Sequence, residues 1–392
     1  MPADRRSGAF GFPPGFGRGS LEADAVLMLR CLLGPTPRAM HALIWEAGSA
    51  SAALRRIRIG DAGSDNDRRF LSRADPRAIR RRLDRIGARF AAPGDPDYWA
   101  PMLRLADPPV GIFVRGRALD PGDERVAIVG SRRPTATGRE VAADLARGIA
   151  SAGMITVSGG AFGIDAAAHR GALDAGGLTV AVLGSGIDVP HPAGNRALFA
   201  RIESSGTLMS EYPPGVPAEP FRFPARNRLI AALSRGVVVV EGAAKSGTRI
   251  TAEHAVELGL DVFAVPGSVT GPLAETPLAL IREGAILVRG AQDLLGDLGV
   301  DATRIGTGPA PPGLSADERR VFEALVAPML PAAAAQASGV PLGRALSSLI
   351  DLELRGLVRS VGGRFDRTFR PQSRVRRSDG PRVDEGGGPP SG

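Results

Sequence analysis

Val126-Ala-Ile-Val129 is a short apolar run that ends at Gly130, and the same pattern returns repeatedly down the chain. Met154 to Val157 closes at Ser158-Gly159-Gly160, Thr179 to Leu183 at Gly184-Ser185-Gly186, and Val237 to Val240 at Glu241-Gly242. Val262 to Val265 closes at Pro266-Gly267, and Ile286 to Val288 follows. Amphipathic helical segments such as Arg139 to Ser151 and Thr251 to Leu258 lie between them. Unbroken apolar strands alternating with helices predict an α/β fold whose parallel sheet is covered on both faces. Right-handed crossovers then give a doubly wound, Rossmann-like, mostly parallel sheet.

The flanks read differently. Residues 1–20 mix Gly, Pro, Phe and Arg without periodicity and are expected to be disordered. Residues 21–90 carry helical spacing: Ala25, Leu29, Leu32 and Leu33, then a break at Gly34-Pro35, then Ala39 to Trp45. They read as a small packing domain built on a helical hairpin, with Arg80, Arg81, Arg82 and Arg85 on a solvated face. The sheet domain spans 91–300, and Thr307 to Gly313 lies in a Pro/Gly linker over 301–313. Within 314–370, Ser315 and Glu318 have capping-box spacing. Val321, Leu325 and Val326 form one stripe, and Ala345, Leu349 and Leu352 another. A Gly362-Gly363 hairpin follows, the order of a winged helix. Residues 371–392 read as a flexible tail.

Composition narrows the class. The chain has 392 residues, 43% apolar and 23% charged, with material for a real core. It has no apolar stretch long enough to span a bilayer and no secretory pattern near its start, so a cytoplasmic location is expected. Cys31 is the one cysteine, which excludes an internal disulfide and a cysteine-rich metal site; among leucines it reads as a buried hydrophobe. The formal charge of +8 favours polyanionic partners only weakly. Of 49 basic residues all but Lys245 are arginine, so that position reads as one that needs a compact ammonium.

Ligands of an open α/β sheet bind outside the carboxyl ends of its strands, and three polar turns fall there. They are Gly130-Ser131-Arg132, then Ser158-Gly159-Gly160-Ala161-Phe162-Gly163 leading to Asp165, then Lys245-Ser246-Gly247-Thr248 opening a helix. Glycine lets amides approach a phosphate, helix N-termini favour anions, and Arg132 and Lys245 add full charge. A fourth element, Phe221-Arg222-Phe223-Pro224-Ala225-Arg226-Asn227-Arg228, suits a single strand: guanidinium for phosphate, aromatic faces for bases. The two phenylalanines read as core, whereas Arg226 and Arg228 read as ligands of the nucleic acid together with Asn227. The first turn is not GxGxxG and no P-loop is present, which argues against a dinucleotide and against ATP hydrolysis. His41, His169, His191 and His254 are scattered. Asp165 and His169 are spaced for an acid–base pair, but they read as structural, so no catalytic residue, cofactor or metal is assigned.

These motifs, with Val182 to Asp188, Ser210-Glu-Tyr-Pro213, Phe223 to Ile230 and Ser246-Gly-Thr248, resemble the DNA-processing protein A (DprA/Smf) family from about Tyr98 to Val288. Leu349 to Val358 with Gly362-Gly363 resembles its winged-helix domain, and the N-terminal hairpin its sterile-alpha-motif-like domain. The resemblance implies a cytoplasmic, non-enzymatic homodimer that binds and protects single-stranded DNA and loads a RecA-type recombinase during natural transformation. It places Arg132 and Lys245 in the DNA pocket. Three departures stand out: His191 where the family usually has Tyr, Glu275 to Ala279 in place of a polar segment, and Leu33-Gly34-Pro35 in the hairpin. The alternative on the same fold is a nucleoside-monophosphate phosphoribohydrolase, but Ala244 to Ala252 keeps only the Gly-Thr of that signature. A winged-helix regulator of duplex DNA is a third possibility. Its candidate recognition helix, about Pro341 to Arg355, carries only Arg344 and Arg355 as basic residues.

Overall fold

The computed structural model describes residues 11–244, 246–300, 313–325, 329–355 and 357–367. Lys245, Val326, the linker up to residue 312 and the tail beyond 367 lie outside the described residues. Seven strands are parallel: β3 (Arg125–Val129), β4 (Ile155–Ser158), β5 (Thr179–Leu183), β6 (Thr207–Ser210), β7 (Gly236–Val239), β8 (Asp261–Ala264) and β9 (Ile286–Leu287). Two earlier strands, β1 (Ala88–Ala91) and β2 (Ile112–Gly116), extend the sheet antiparallel beyond β6. The order is β1-β2-β6-β5-β4-β3-β7-β8-β9. Strand order reverses between β3 and β7, which is the switch point where such sheets open a crevice.

The apolar runs explain why both faces are covered. Successive side chains alternate faces. Ala127 and Val129 join Val157, Val182 and Val239 in one core, under α9 (Arg222–Ala232) and α10 (Gly247–Glu257). Val126 and Ile128 join Val238 and Phe263 in the other, under α6 (Ala136–Ser151), α7 (Ile164–Asp174) and α12 (Ala291–Asp297). Every residue of β3, β4, β5 and β7 is buried.

The N-terminal segment forms five helices: α1 (Ser20–Arg30), α2 (Pro37–Ala47), α3 (Ala50–Ile59), α4 (Asp65–Leu71) and α5 (Pro76–Arg85). The stretch expected to be helical to residue 90 ends instead in β1, which pairs with β2. Leu27 of the first helix, Cys31 at its C-cap and Leu83 of the fifth share a core with Phe113, Leu183 and Leu208 of the sheet and with α8 (Arg196–Ser205). Burial pushes the Cys31 thiol up to about 11, as suits a packed, unreactive cysteine. Leu33, expected on the apolar stripe, is 53% exposed because the chain has already left the helix. The arginines of α5 are not simply solvated: Arg80 pairs with Asp24 at 2.8 Å and Arg82 with Asp188 at 3.2 Å.

A buried charge network fixes this contact. Arg228 donates two bonds to Glu211, at 3.0 and 2.8 Å, and one to Asp107 at 3.0 Å. Arg30 of α1 approaches the same Glu211 at 3.6 Å. Arg228, Arg30 and Glu211 are thus buried together, with Asp107 at the half-buried edge, a geometry that is costly to break from one side.

The C-terminal unit matches its expected order. Ser315 and Glu318 form a reciprocal capping box on α13 (Ala316–Ala324). Next come α14 (Pro331–Ser338), α15 (Leu342–Leu354) and the hairpin of β10 (Val358–Val361) and β11 (Arg364–Arg367), turned by Gly362 and Gly363 at positive φ. Its own core contains Val321, Leu325, Ala345, Leu349, Leu352 and Phe365.

Two stability predictions follow from buried charge. Glu211→Ala should lower the unfolding free energy by about 3–5 kcal/mol in chemical denaturation, since it strands Arg228 and Arg30; an unchanged midpoint would contradict the network's role. His169 is fully buried, its Nδ1 lies 2.7 Å from Thr179 Oγ1, and that hydroxyl donates to the Thr156 carbonyl. The ring is therefore a neutral Nδ1–H donor, and burial, aided by Arg226, pulls its pKa down to about 3. The unfolded chain binds a proton near pH 6.5 that the folded chain refuses, so stability falls as pH drops from there. By pH 4.5 the wild type should lose about 2–3 kcal/mol more than His169→Gln. Parallel stability curves would refute it.

Candidate functional site

The first two predicted turns lie at the ends of adjacent strands, β3 and β4, and the third follows β7 on the other side of β3. They share one rim. The crevice between β3 and β7 is closed by Ser131 N–H donating to the Glu241 carbonyl at 2.8 Å. The second turn is fitted against the first. Gly163 sits at φ 81°, and a Cβ there would lie 2.3 Å from the Ser131 carbonyl. Ile164 N–H donates to that carbonyl at 3.1 Å. At the third turn Ser246 caps α10, accepting from Thr248 N–H at 3.2 Å.

Several expected phosphate donors are committed elsewhere. Gly159 and Ala161 donate their amides to the Asp165 carboxylate at 3.2 and 3.3 Å. The Ser158 hydroxyl is buried and donates to the Ile128 carbonyl at 2.6 Å. Glu241 fills the N-terminus of α6: Thr135 donates to its carboxylate from the amide at 3.0 Å and the hydroxyl at 2.6 Å. Gly138 leaves that space, for a Cβ there would lie 2.4 Å from the carboxyl carbon. Internal carboxylates thus occupy two positions where a nucleotide phosphate would sit in a dinucleotide site. The amides of Arg132, Gly160 and Phe162 donate to no internal partner among the described residues.

Arg228, expected as a nucleic-acid ligand, belongs to the buried Glu211–Asp107 network; it is 4% exposed and its head is spent on carboxylates. Arg226 is 4% exposed as well. Its Nη1 donates to the carbonyls of Gly159 and Val182, at the ends of β4 and β5. Burial pulls its pKa down to about 10; Asp165 opposes that and Arg132 adds to it. Burial in turn pushes the Asp165 carboxyl up, against the pull of Arg226 and the loop amides. Arg226 is therefore a brace beneath the rim rather than a ligand on it. Its Nε faces Asn227 Oδ1 at 3.3 Å, and Asn227 Nδ2 donates to the Gly247 carbonyl at 3.3 Å. One helix turn thus links the second loop to the third.

What the rim presents to solvent is Arg132. Its guanidinium carbon lies 5.1 Å from the centroid of the Phe223 ring, a cation–π contact, and Phe223 packs against His191 at 5.8 Å. Arg132 is exposed and has no acidic partner among the described residues; the same holds for Arg133 and for Arg196 at the start of α8. Sequence reasoning passed over Arg133, Arg196 and the His191–Phe223 pair. Arg133 stands beside Arg132 in the first turn and was the one signal available. Phe162 is 48% exposed, and Phe221, expected in the core, is 65% exposed. In the winged unit Arg344 pairs with Asp317 and Arg355 with Glu318, each at 3.1 Å. Asp165 lies against loop amides and His169 bonds Thr179, so they do not form an acid–base pair.

Comparison with known proteins places the fold in a family. The family described as DNA recombination-mediator protein A matches residues 89–299, and the DprA winged helix domain matches 306–364. A Mycobacterium tuberculosis protein with the provisional name DNA processing protein DprA is 41% identical over 356 residues, covering 83% of this chain and 89% of its own. Protein Smf of Escherichia coli is 36% identical over 299 residues, 73% of this chain and 79% of that one. The X-ray structure of DNA processing protein A from Streptococcus pneumoniae superposes with a TM-score of 0.56 at 33% identity, covering 71% of this chain and 97% of that one. With a doubly wound sheet domain followed in the chain by a winged helix, this chain belongs to the DNA-processing protein A (DprA/Smf) family.

Proposed function

We propose that the rim around Arg132 binds single-stranded DNA without regard to sequence, and that the protein protects such strands and delivers them to a RecA-type recombinase. The observation that carries the reading is Arg132 itself. It is an exposed guanidinium with no acidic partner among the described residues, it is held over an aromatic ring, and it stands at the switch point of the sheet. Arg133 and Arg196 extend the charge along the same rim. The turn 246–248 follows β7, across the crevice from β3, and Lys245, its neighbour in sequence, is assigned by this proposal to the same groove. Unpaired cations on an edge with solvent-facing aromatic rings suit a flexible polyanion with exposed bases. Membership of a DNA-processing family supports the same conclusion.

The phosphoribohydrolase alternative draws less support. Glu241 takes the Thr135 amide and Asp165 those of Gly159 and Ala161, amides that a nucleotide phosphate would otherwise use. A cytoplasmic homodimer that acts without chemistry of its own is part of the proposal; no helix among the described residues is long and apolar enough to cross a membrane.

Mobility shifts of oligonucleotides over a salt series test the proposal. Single strands should bind more tightly than duplex, with a log–log slope of about −0.7 per neutralised phosphate. Arg132→Ala and Arg133→Ala should each weaken binding by about tenfold at low salt, equally for all sequences, and flatten the slope by about 0.7. Wild-type affinity in both variants would remove this site. In parallel, incubation with nucleoside monophosphates should release no free base.

A further inference from the structure

Phe221 is an unusual exposed aromatic. It is 65% exposed, yet one side of it is occupied: the Arg222 guanidinium carbon lies 5.2 Å from its ring centroid. Arg222 itself is only 7% exposed, and its guanidinium carbon lies 5.1 Å from the Tyr212 ring. It is pinned further by the Pro217 carbonyl and by Glu219 at 3.2 Å. A freely rotating surface phenylalanine would lose entropy on stacking, whereas this one is already backed by a fixed cation. Phe221 immediately precedes α9 and stands two residues before Phe223, the ring under Arg132. Two residues apart at a helix start, the two rings leave opposite flanks of the helix, Phe223 toward Arg132 and Phe221 toward Arg222 and the Tyr212 loop.

We propose that Phe221 is a second base-stacking position on the same rim, taking a base further along the strand, beyond the start of α9 from the one held near Phe223. The strand then runs from the β3 end, across β4 and β5, toward the Tyr212 loop after β6. This inference rests on the single-strand reading above. It adds a direction for the strand and a residue whose contribution comes from the base and not from the phosphate. The ligand class is an unpaired nucleobase of any identity, because every base offers a π face.

The test uses the full-length chain with two oligomers of equal length, one of deoxythymidine and one abasic. Phe221→Ala should weaken deoxythymidine binding about five- to tenfold and leave abasic binding unchanged, while Phe221→Trp keeps wild-type affinity. Equal affinity of Phe221→Ala and wild type for the deoxythymidine oligomer would overturn the proposal. So would an equal loss on both oligomers, or a change of oligomeric state by light scattering with affinity intact, which would make Phe221 a contact between copies. Arg132→Ala, run alongside, should lose affinity for both oligomers. If Arg132→Ala loses affinity and Phe221→Ala does not, the groove stands and the second stacking position falls. A wild type that binds neither oligomer removes both.

Discussion

The rim depends on one buried guanidinium. Arg226 is almost wholly removed from water, and it ties the carbonyl ends of β4 and β5 to α9. A cation there is tolerable only because carbonyl dipoles and Asp165 replace its hydration. That requirement shapes the surroundings. Gly159 has no side chain because Arg226 Nη2 and Asp165 Oδ2 would lie 2.6 and 2.8 Å from a Cβ. Asn227, next on the helix, carries the link onward to α10. The exposed cations above this brace inherit fixed positions, which on the proposed reading would keep the ordering cost of gripping a flexible strand low.

Division of labour among the arginines follows from burial. Arg228 sits between carboxylates and joins α1 to the sheet, Arg226 braces the loops, and Arg132 with Arg133 faces solvent. The residue type is shared, but the neighbours decide what each does. A guanidinium surrounded by Glu211 and Asp107 has no attraction left for phosphate, while one over a phenyl ring keeps its charge and gains orientation. The same logic explains the two internal carboxylates. Glu241 and Asp165 take helix and loop amides that other doubly wound proteins offer to nucleotides, so charge recognition passes from the backbone to side chains.

Much of the fold is legible in the chain. The runs at Val126, Thr179 and Val237 are apolar without alternation because both faces of the sheet are covered, and that texture has few other causes. The antiparallel strands β1 and β2 were not legible, since Ala88–Ala91 is only four residues long and lacks a clear alternation, although Gly87 at φ 63° marks the helix end before it. Of the site, the turns were readable from glycine and strand ends, and Arg132 from its place in the first. The roles of Arg226 and Arg228 were not. They lie two apart on one helix, and nothing local says that one meets carbonyls and the other Glu211, which is 17 residues from Arg228 in sequence. Phe221 misled for a related reason: a phenylalanine beside Arg222 and Phe223 looks like core until the helix start turns it outward.

The central claim is that an unpaired strand lies along the carboxyl rim of the sheet, over Arg132 and Phe223. Photocrosslinking of the full-length chain to single-stranded oligomers bearing 4-thiothymidine, with the adducts located by mass spectrometry, tests this most directly. The account predicts adducts in the segments around 130–133, 158–163 and 221–223. Adducts confined to the winged unit or to α5, with the rim untouched, would contradict it.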